Sequence, residues 1–240
     1  MLTFNLLACK AYSAAFTEEA EWQAWASQAD LALPKANNFK ASKIPMLQAR
    51  RMLLADKMAI QLALELNELH PDIDAIVFAS RHGQLERTYK LLSHFFQSGE
   101  MSPTDFATAV HNAPAGQFSI LAKNIAPISS VAAEDQTFCA GLVEALLALQ
   151  DGKKKVLLVM FDGVVPAHYQ PYLANDEISE PYALAMVLTQ GEQWQLSWSE
   201  RSEQASTKSP DGLQFLQKFF QKQPHFCLVS DTQQWQFTRN

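Results

Sequence analysis

The chain has 240 residues, 48% of them apolar, and a formal net charge of −6. That is enough apolar side chain for one sizeable core or two small ones, and it excludes an unfolded polyelectrolyte. The acidic balance, with no Lys/Arg run interleaved with aromatics, argues against a nucleic-acid binder, and the basic run Lys153–Lys155 reads as a solvated turn. Cys9, Cys139 and Cys227 stand far apart, so neither a disulfide framework nor a zinc knuckle is implied, and a reducing cytosol is the expected setting. The N-terminus has no basic leader, and its apolar run is too short for a signal or a span, so no membrane insertion is expected.

In chain order, Leu2–Cys9 predicts a strand and EEAEWQAWA a helix with Trp22 and Trp25 on one side. Residues 29–45, broken by Pro34, Asn37, Asn38 and Pro45, predict a loop that packs on a neighbour. One long amphipathic helix is expected over Met46–Leu69. The continuous apolar run Ile73–Ala79 is the pattern of a strand buried on both faces, ending at Ser80-Arg81-His82-Gly83. A helix over Gln84–Gln97 closes on Gly99. Ser102-Pro103 is an N-cap followed by proline at the first helical position, which starts a short helix over 104–110.

A second helix is expected over Gly116–Lys123 and a strand over Ile125–Ala132, followed by an Ala-rich buried helix, Thr137–Gln150. The strand Val156–Phe161 ends in an Asp162-Gly163 turn. The stretch 164–181 reads as irregular. Tyr182–Thr189 and the alternating Gln193–Ser199 predict two strands, Asp211–Lys222 a helix and Phe226–Ser230 a last strand. Alternating strands and helices with no repeat make an α/β sandwich on a mixed sheet.

The stretch from Ser102 to Ala145 is where chemistry would sit. A strand feeding a helix N-terminus offers unpaired backbone N–H groups to a nucleophile or an anion. Glu134, Asp135 and Gln136 occupy that junction and suit capping better than catalysis. His111 and Asn112 lie in a turn where a base could be held, but no nucleophile is adjacent in sequence. Cys139 is the candidate partner, and its place inside an apolar helix makes it a small core residue. Arg81 and His82, at a strand end, could meet an anionic ligand or form a surface turn. GxGxxG, Walker, HExxH and CxxC patterns are all missing, so no metal or cofactor is implied.

SPTDFATAVHNAPAGQFSI, carried by Ser102, Pro103, Thr104, Phe106, His111, Asn112 and Gly116, resembles the β-ketoacyl synthase superfamily, as does the later VAAEDQTFCAGLVEALLAL. Within it the chain is most similar to the short ketosynthase-like chain length factors. The Gln48–Leu54 helix start, IDAIVFAS before Arg81-His82-Gly83, and VLLVMFDG extend the resemblance over residues 2–190. It implies a thiolase-like fold truncated to essentially its N-terminal half, in a single domain: a half over 1–190 and a short C-terminal extension over 191–240. It puts Asp135, or Gln136 with a one-residue slip, at the position of the family's nucleophilic Cys. Neither side chain can form an acyl thioester. Too little chain follows residue 190 for the family's second half with its basic residues.

The resemblance therefore implies a catalytically silent, cytoplasmic subunit without cofactor or metal. It would pair with an active ketosynthase through Ile125, Pro127, Ile128, Ser129, Ser130 and Val131 and shape the acyl or polyene pocket, as in type II polyketide, aryl polyene or fatty-acid-like synthesis. Two other readings stay open at this point. One is a stand-alone thioester-acting acyltransferase or hydrolase using Cys139 and His111. The other is a module that docks an acyl carrier protein through Arg50, Arg51 and Lys57.

Overall fold

The computed structural model describes residues 1–173, 180–201 and 210–240. Among them run seven strands and eight α-helices. The strands are β1 (Leu2–Ser13), β2 (Ala75–Ala79), β3 (Ile128–Val131), β4 (Lys155–Asp162), β5 (Tyr182–Glu200), β6 (His225–Val229) and β7 (Gln233–Arg239). The helices are α1 (Glu19–Ala26), α2 (Met46–Ala49), α3 (Leu54–Leu69), α4 (Leu85–Ser98), α5 (Pro103–Thr108), α6 (Ala113–Ala122), α7 (Thr137–Gln150) and α8 (Asp211–Phe220).

One mixed sheet holds every strand, in the order β3-β2-β4-β5-β7-β6, with β1 on the other side of β5. β2 is parallel to β3 and β4, and β5 runs antiparallel to β4, β1 and β7. β2 is buried along its whole length, as its unbroken apolar run requires. On one face, Trp22 and Trp25 of α1, Phe138 and Leu142 of α7, and Leu213 and Phe215 of α8 make a core. On the other, Met58, Ile60 and Leu62 of α3 and Phe118 of α6 make a second. The predicted loop after α1 does pack inward: Leu33, Phe39 and Ile44 are buried, with Phe39 against Tyr12 at 5.4 Å.

The two sides of the central strands leave no slack where α7 crosses. A Cβ on Gly141 would stand 2.8 Å from the Ala79 Cβ and 3.2 Å from Leu158 Cδ1. Gly141→Ala is therefore expected to lower stability by about 1–3 kcal/mol through overpacking, read from a denaturant midpoint.

Four expectations are corrected. The helix expected over Met46–Leu69 is two helices, broken at Arg50–Leu53. Met52 turns inward there, and the Asp56 carboxylate accepts the Leu53 N–H at 3.2 Å, which starts α3 afresh. The strands expected over 182–189 and 193–199 are one 19-residue strand, β5. Gly191 permits it: Asn5 lies where a Cβ would be, 2.1 Å from its Oδ1. Gln193 N–H donates to Asn5 Oδ1 and Leu6 N–H to Gln193 Oε1 across the bulge. The strand expected over Ile125–Ala132 is shorter, Ile128–Val131, with Ile125 and Pro127 ahead of it. Finally, β7 was absent from the expected order. The half/extension boundary expected after residue 190 falls inside β5, and β5, β6 and β7 share the one sheet. Of the irregular stretch 164–181, residues 174–179 lie outside the described residues.

Candidate functional site

β3, β2 and β4 all end at the same edge of the sheet as the start of α7, so their C-terminal turns converge there. After β3 the chain makes a 3-10 turn, Glu134–Gln136, before α7 begins at Thr137. Glu134 has φ +50°, a left-handed conformation that costs a non-glycine residue about 1–2 kcal/mol. Thr137 closes the turn: its hydroxyl donates to Glu134 O at 2.8 Å and accepts the Ala133 N–H at 2.9 Å. An open depression of about 580 Å³, lined by Arg81, His82 and 132–136, sits over the turn.

The first helix N–H groups and the Asp135 and Gln136 side chains at this junction are already bound. The α7 N–H groups of Phe138 and Cys139 donate to the Asp211 carboxylate at 3.2 and 2.8 Å, and Gly212 N–H adds a third bond at 2.9 Å. Asp211, from the first turn of α8, thus supplies in cis the acceptor oxygens that the free N–H groups of a helix start require. Asp135 Oδ2 accepts the Asp231 N–H at 2.8 Å, and Gln136 Nε2 donates to Thr232 Oγ1 at 3.0 Å. The β6–β7 turn is thereby tied to the junction. Burial pushes the Asp211 carboxyl up to about 7, against the pull of its N–H donors.

A second buried carboxylate organises the neighbouring strand end. Asp162 accepts from Ser80 Oγ at 2.8 Å, His82 N–H at 2.9 Å and Arg81 N–H at 3.3 Å, which fixes the turn after β2. Burial raises its pKa as well. Near the two acids, the Tyr182 hydroxyl is fully buried and has no hydrogen-bond partner among the described residues.

The residues singled out in sequence fall into three places. Asp135 and Gln136 are at the junction, bound as described. Ser102 caps α5 by accepting the Asp105 N–H at 3.2 Å, Pro103 and Thr104 form its first turn, and Phe106 is exposed on it. Asn112 stands at the N-cap position of α6 without a side-chain capping bond, and its carbonyl accepts the Gly116 N–H at 3.1 Å. His111 Nε2 bonds the Ser80 carbonyl at 2.8 Å, and its ring fills the space beside Gly83, where a Cβ would come 2.7 Å from His111 Cδ2. His111 is thus a pin between the α5–α6 turn and β2.

Cys139 is fully buried and bonds Asp211, not His111. Burial first, and then the Asp211 charge, push its thiol well above the usual value. A nucleophile needs the opposite shift, so the Cys139–His111 pair is not assembled. With iodoacetamide on the folded protein, exposed Cys227 is expected to react first. Half-buried Cys9, pushed by burial up to about 12, should follow slowly, and Cys139 should stay unlabelled; peptide mapping by mass spectrometry reads the order.

Among the described residues no strand pairs with the outer side of β3, which ends the sheet. Ile76 N–H donates to Pro127 O and Ser80 N–H to Val131 O at 3.0 and 3.1 Å. Alternate residues of β3 therefore face β2, and the N–H and C=O of Ile128 and Ser130 point away from the sheet. Ser129 Oγ is engaged with Glu144 at 2.9 Å. Ile125, just ahead of β3 in the chain, is exposed.

Among the described residues no group of three or more His, Cys, Asp or Glu is placed to hold a metal ion, and no helix is long and apolar enough to cross a membrane. The features sequence reasoning missed are Asp211 and the Asp231-Thr232 turn. The acid at the start of α8 was visible, but its target 72 positions earlier had no local signal.

Comparison with known proteins assigns the family. A family model described as the N-terminal domain of β-ketoacyl synthase matches residues 22–238, and the chain belongs to that family. At 34% identity it is similar to a chain of the ketosynthase ApeO in complex with its chain length factor ApeC from Xenorhabdus doucetiae, with 100% of both chains covered and a TM-score of 0.92. The ishigamide ketosynthase/chain length factor shares 16% identity over 83% of this chain and 67% of that one, TM-score 0.66. A β-ketoacyl synthase from Burkholderia phymatum STM815 shares 14% over 93% and 71%, TM-score 0.58. These matches bear out the thiolase-like ketosynthase fold. No curated protein sequence is similar to the chain.

Proposed function

We propose that this chain is a chain length factor: a non-catalytic subunit that pairs with an active β-ketoacyl synthase, stabilises it and helps to shape the pocket for the growing acyl or polyene chain. The observation that carries the reading is the junction before α7. A strand leads there into a helix N-terminus, the position that the resemblance gives to the family's nucleophile; the residues present are Asp135 and Gln136, and the N–H groups of Phe138 and Cys139 are taken by Asp211. A condensing enzyme needs a thiolate at that place and free N–H donors for the oxyanion. The full-length similarity to a chain of a ketosynthase–chain length factor complex supports the same role.

Pairing through β3 is supported by its outward backbone groups and the exposed Ile125 just ahead of it, which suit addition of a partner strand. A type II system of the aryl polyene kind rests on the resemblance of the short ketosynthase-like form. The test is intact-mass spectrometry after incubation with an acyl thioester such as octanoyl-CoA, alone and with the cognate ketosynthase. The acyl adduct is expected on the synthase only; an adduct on this chain would contradict the reading.

A further inference from the structure

A cleft unrelated to the junction runs along the break between α2 and α3. One part, about 440 Å³, lies between Arg50–Leu53, α4 and the start of α5. A second part of about 220 Å³ continues it toward α6 and reaches Thr108, Gln117 and Ile120. Arg51, Met52, Arg87 and Asp105 belong to both parts, so the two are one continuous space.

The charge of this cleft is opposite to that of the molecule. The chain carries −6 overall, yet Arg50, Arg51, Arg87 and Lys90 line the cleft against one carboxylate, Asp105. That carboxylate is taken: Arg87 NH1 donates to Asp105 Oδ1 at 3.2 Å, while NH2 donates to the Arg51 carbonyl at 2.7 Å. Lys90 is paired with Glu86 at 2.5 Å. Arg50 reaches only the Met46 sulfur at 3.5 Å, and the Arg51 guanidinium has no carboxylate within ion-pair distance among the described residues. Two exposed guanidiniums therefore stand at the mouth with their charge unanswered.

The second part shows the complementary need. Among the described residues, Gln117 Oε1 is buried without a hydrogen-bond partner. Native proteins rarely leave such an acceptor unmatched, because it has lost water and gained nothing. Met52 and Ile120 add apolar surface to the same part of the cleft.

We propose that the cleft binds a small organic anion, a carboxylate or phosphate monoester. Arg51 and Arg50 hold its head by charge-assisted, fork-shaped hydrogen bonds, its body lies on Met52 and Ile120, and an N–H or O–H on its chain donates to Gln117 Oε1. The site is independent of the pairing role, and its test uses the full chain alone.

The probes are N-octanoylglycine and N-acetyl-O-phosphoserine, which carry both an anion and an amide N–H, with acetate and inorganic phosphate as bare anions. In isothermal titration one of the amide-bearing probes is expected to bind about tenfold or more tighter than its bare anion, and more weakly as salt rises. Arg51→Ala keeps the carbonyl that accepts from Arg87 and should weaken binding at least about tenfold. Gln117→Leu should weaken it similarly while raising the melting temperature of the ligand-free protein, since the unmatched oxygen is gone. The proposal is overturned if neither amide-bearing probe binds at millimolar concentration, if the bare anions bind as tightly, or if either variant binds as well as the wild type.

Discussion

Asp211→Ala is expected to be the most damaging single substitution in this chain, lowering stability by about 3 kcal/mol at pH 5 and the melting temperature by roughly 6–12 °C. The variant strands the N–H groups of Phe138, Cys139 and Gly212 at a buried helix start with no acceptor. Each buried donor left unmatched costs about 1–3 kcal/mol. It also uncouples α7 from α8, which meet through Phe138 and Phe215 at 4.7 Å.

The loss should shrink as pH rises, and the sign follows from the direction of the Asp211 shift. Its folded pKa, about 7, lies above the ordinary carboxylate value it has when unfolded. Between those two values the folded state holds a proton that the unfolded state has released, so wild-type stability falls as pH rises through that window and levels off above it. Asp56, raised by burial to about 6, pulls the same way over a lower range. Glu65 and Asp74, held below the ordinary value by their hydrogen-bond donors, act oppositely: their contribution is lost as pH falls below the usual carboxylate range. Asp211→Asn cannot titrate. Its stability relative to wild type should improve by about 2–4 kcal/mol between pH 5 and pH 8, measured by urea denaturation at the two values. A constant offset would mean that Asp211 is ionised in the folded protein throughout.

The second large effect is expected at the open edge of β3. Ser130→Pro removes an N–H that points away from the sheet and sets a ring in the path of an approaching strand, while the bonds of Pro127 and Val131 to β2 stay in place. Proline is tolerated on an edge strand for that reason. The variant should therefore melt within about 2 °C of wild type yet bind its ketosynthase about 10–100-fold more weakly, a difference of roughly 1.4–2.8 kcal/mol. Equal binding would move the interface elsewhere.

Most of the scaffold could be read from local pattern. The unbroken apolar run before Ser80 gives β2, Gly99 at φ +75° ends α4, and the Ala-rich run from Thr137 gives α7 to the residue. What escaped depends on contacts distant in sequence. The break at Arg50–Leu53 is made by Met52 turning into the core, a tertiary choice that helical periodicity does not encode. β5 runs unbroken because Gly191 makes room for Asn5, 186 positions earlier. β7 did have a local signal, Trp235 and Phe237 alternating with polar residues, in a stretch for which no element was expected. The junction was legible in what it contains, Glu134, Asp135 and Gln136, and illegible in what binds it, because Asp211 and the Asp231-Thr232 turn come from the far end of the chain.

Pairing itself is open to the most direct test. Wild-type chain, co-expressed with its cognate β-ketoacyl synthase and passed over a size-exclusion column with light scattering, should elute with the synthase as one species containing equal numbers of the two chains. A soluble, active synthase eluting apart from this chain would contradict the account.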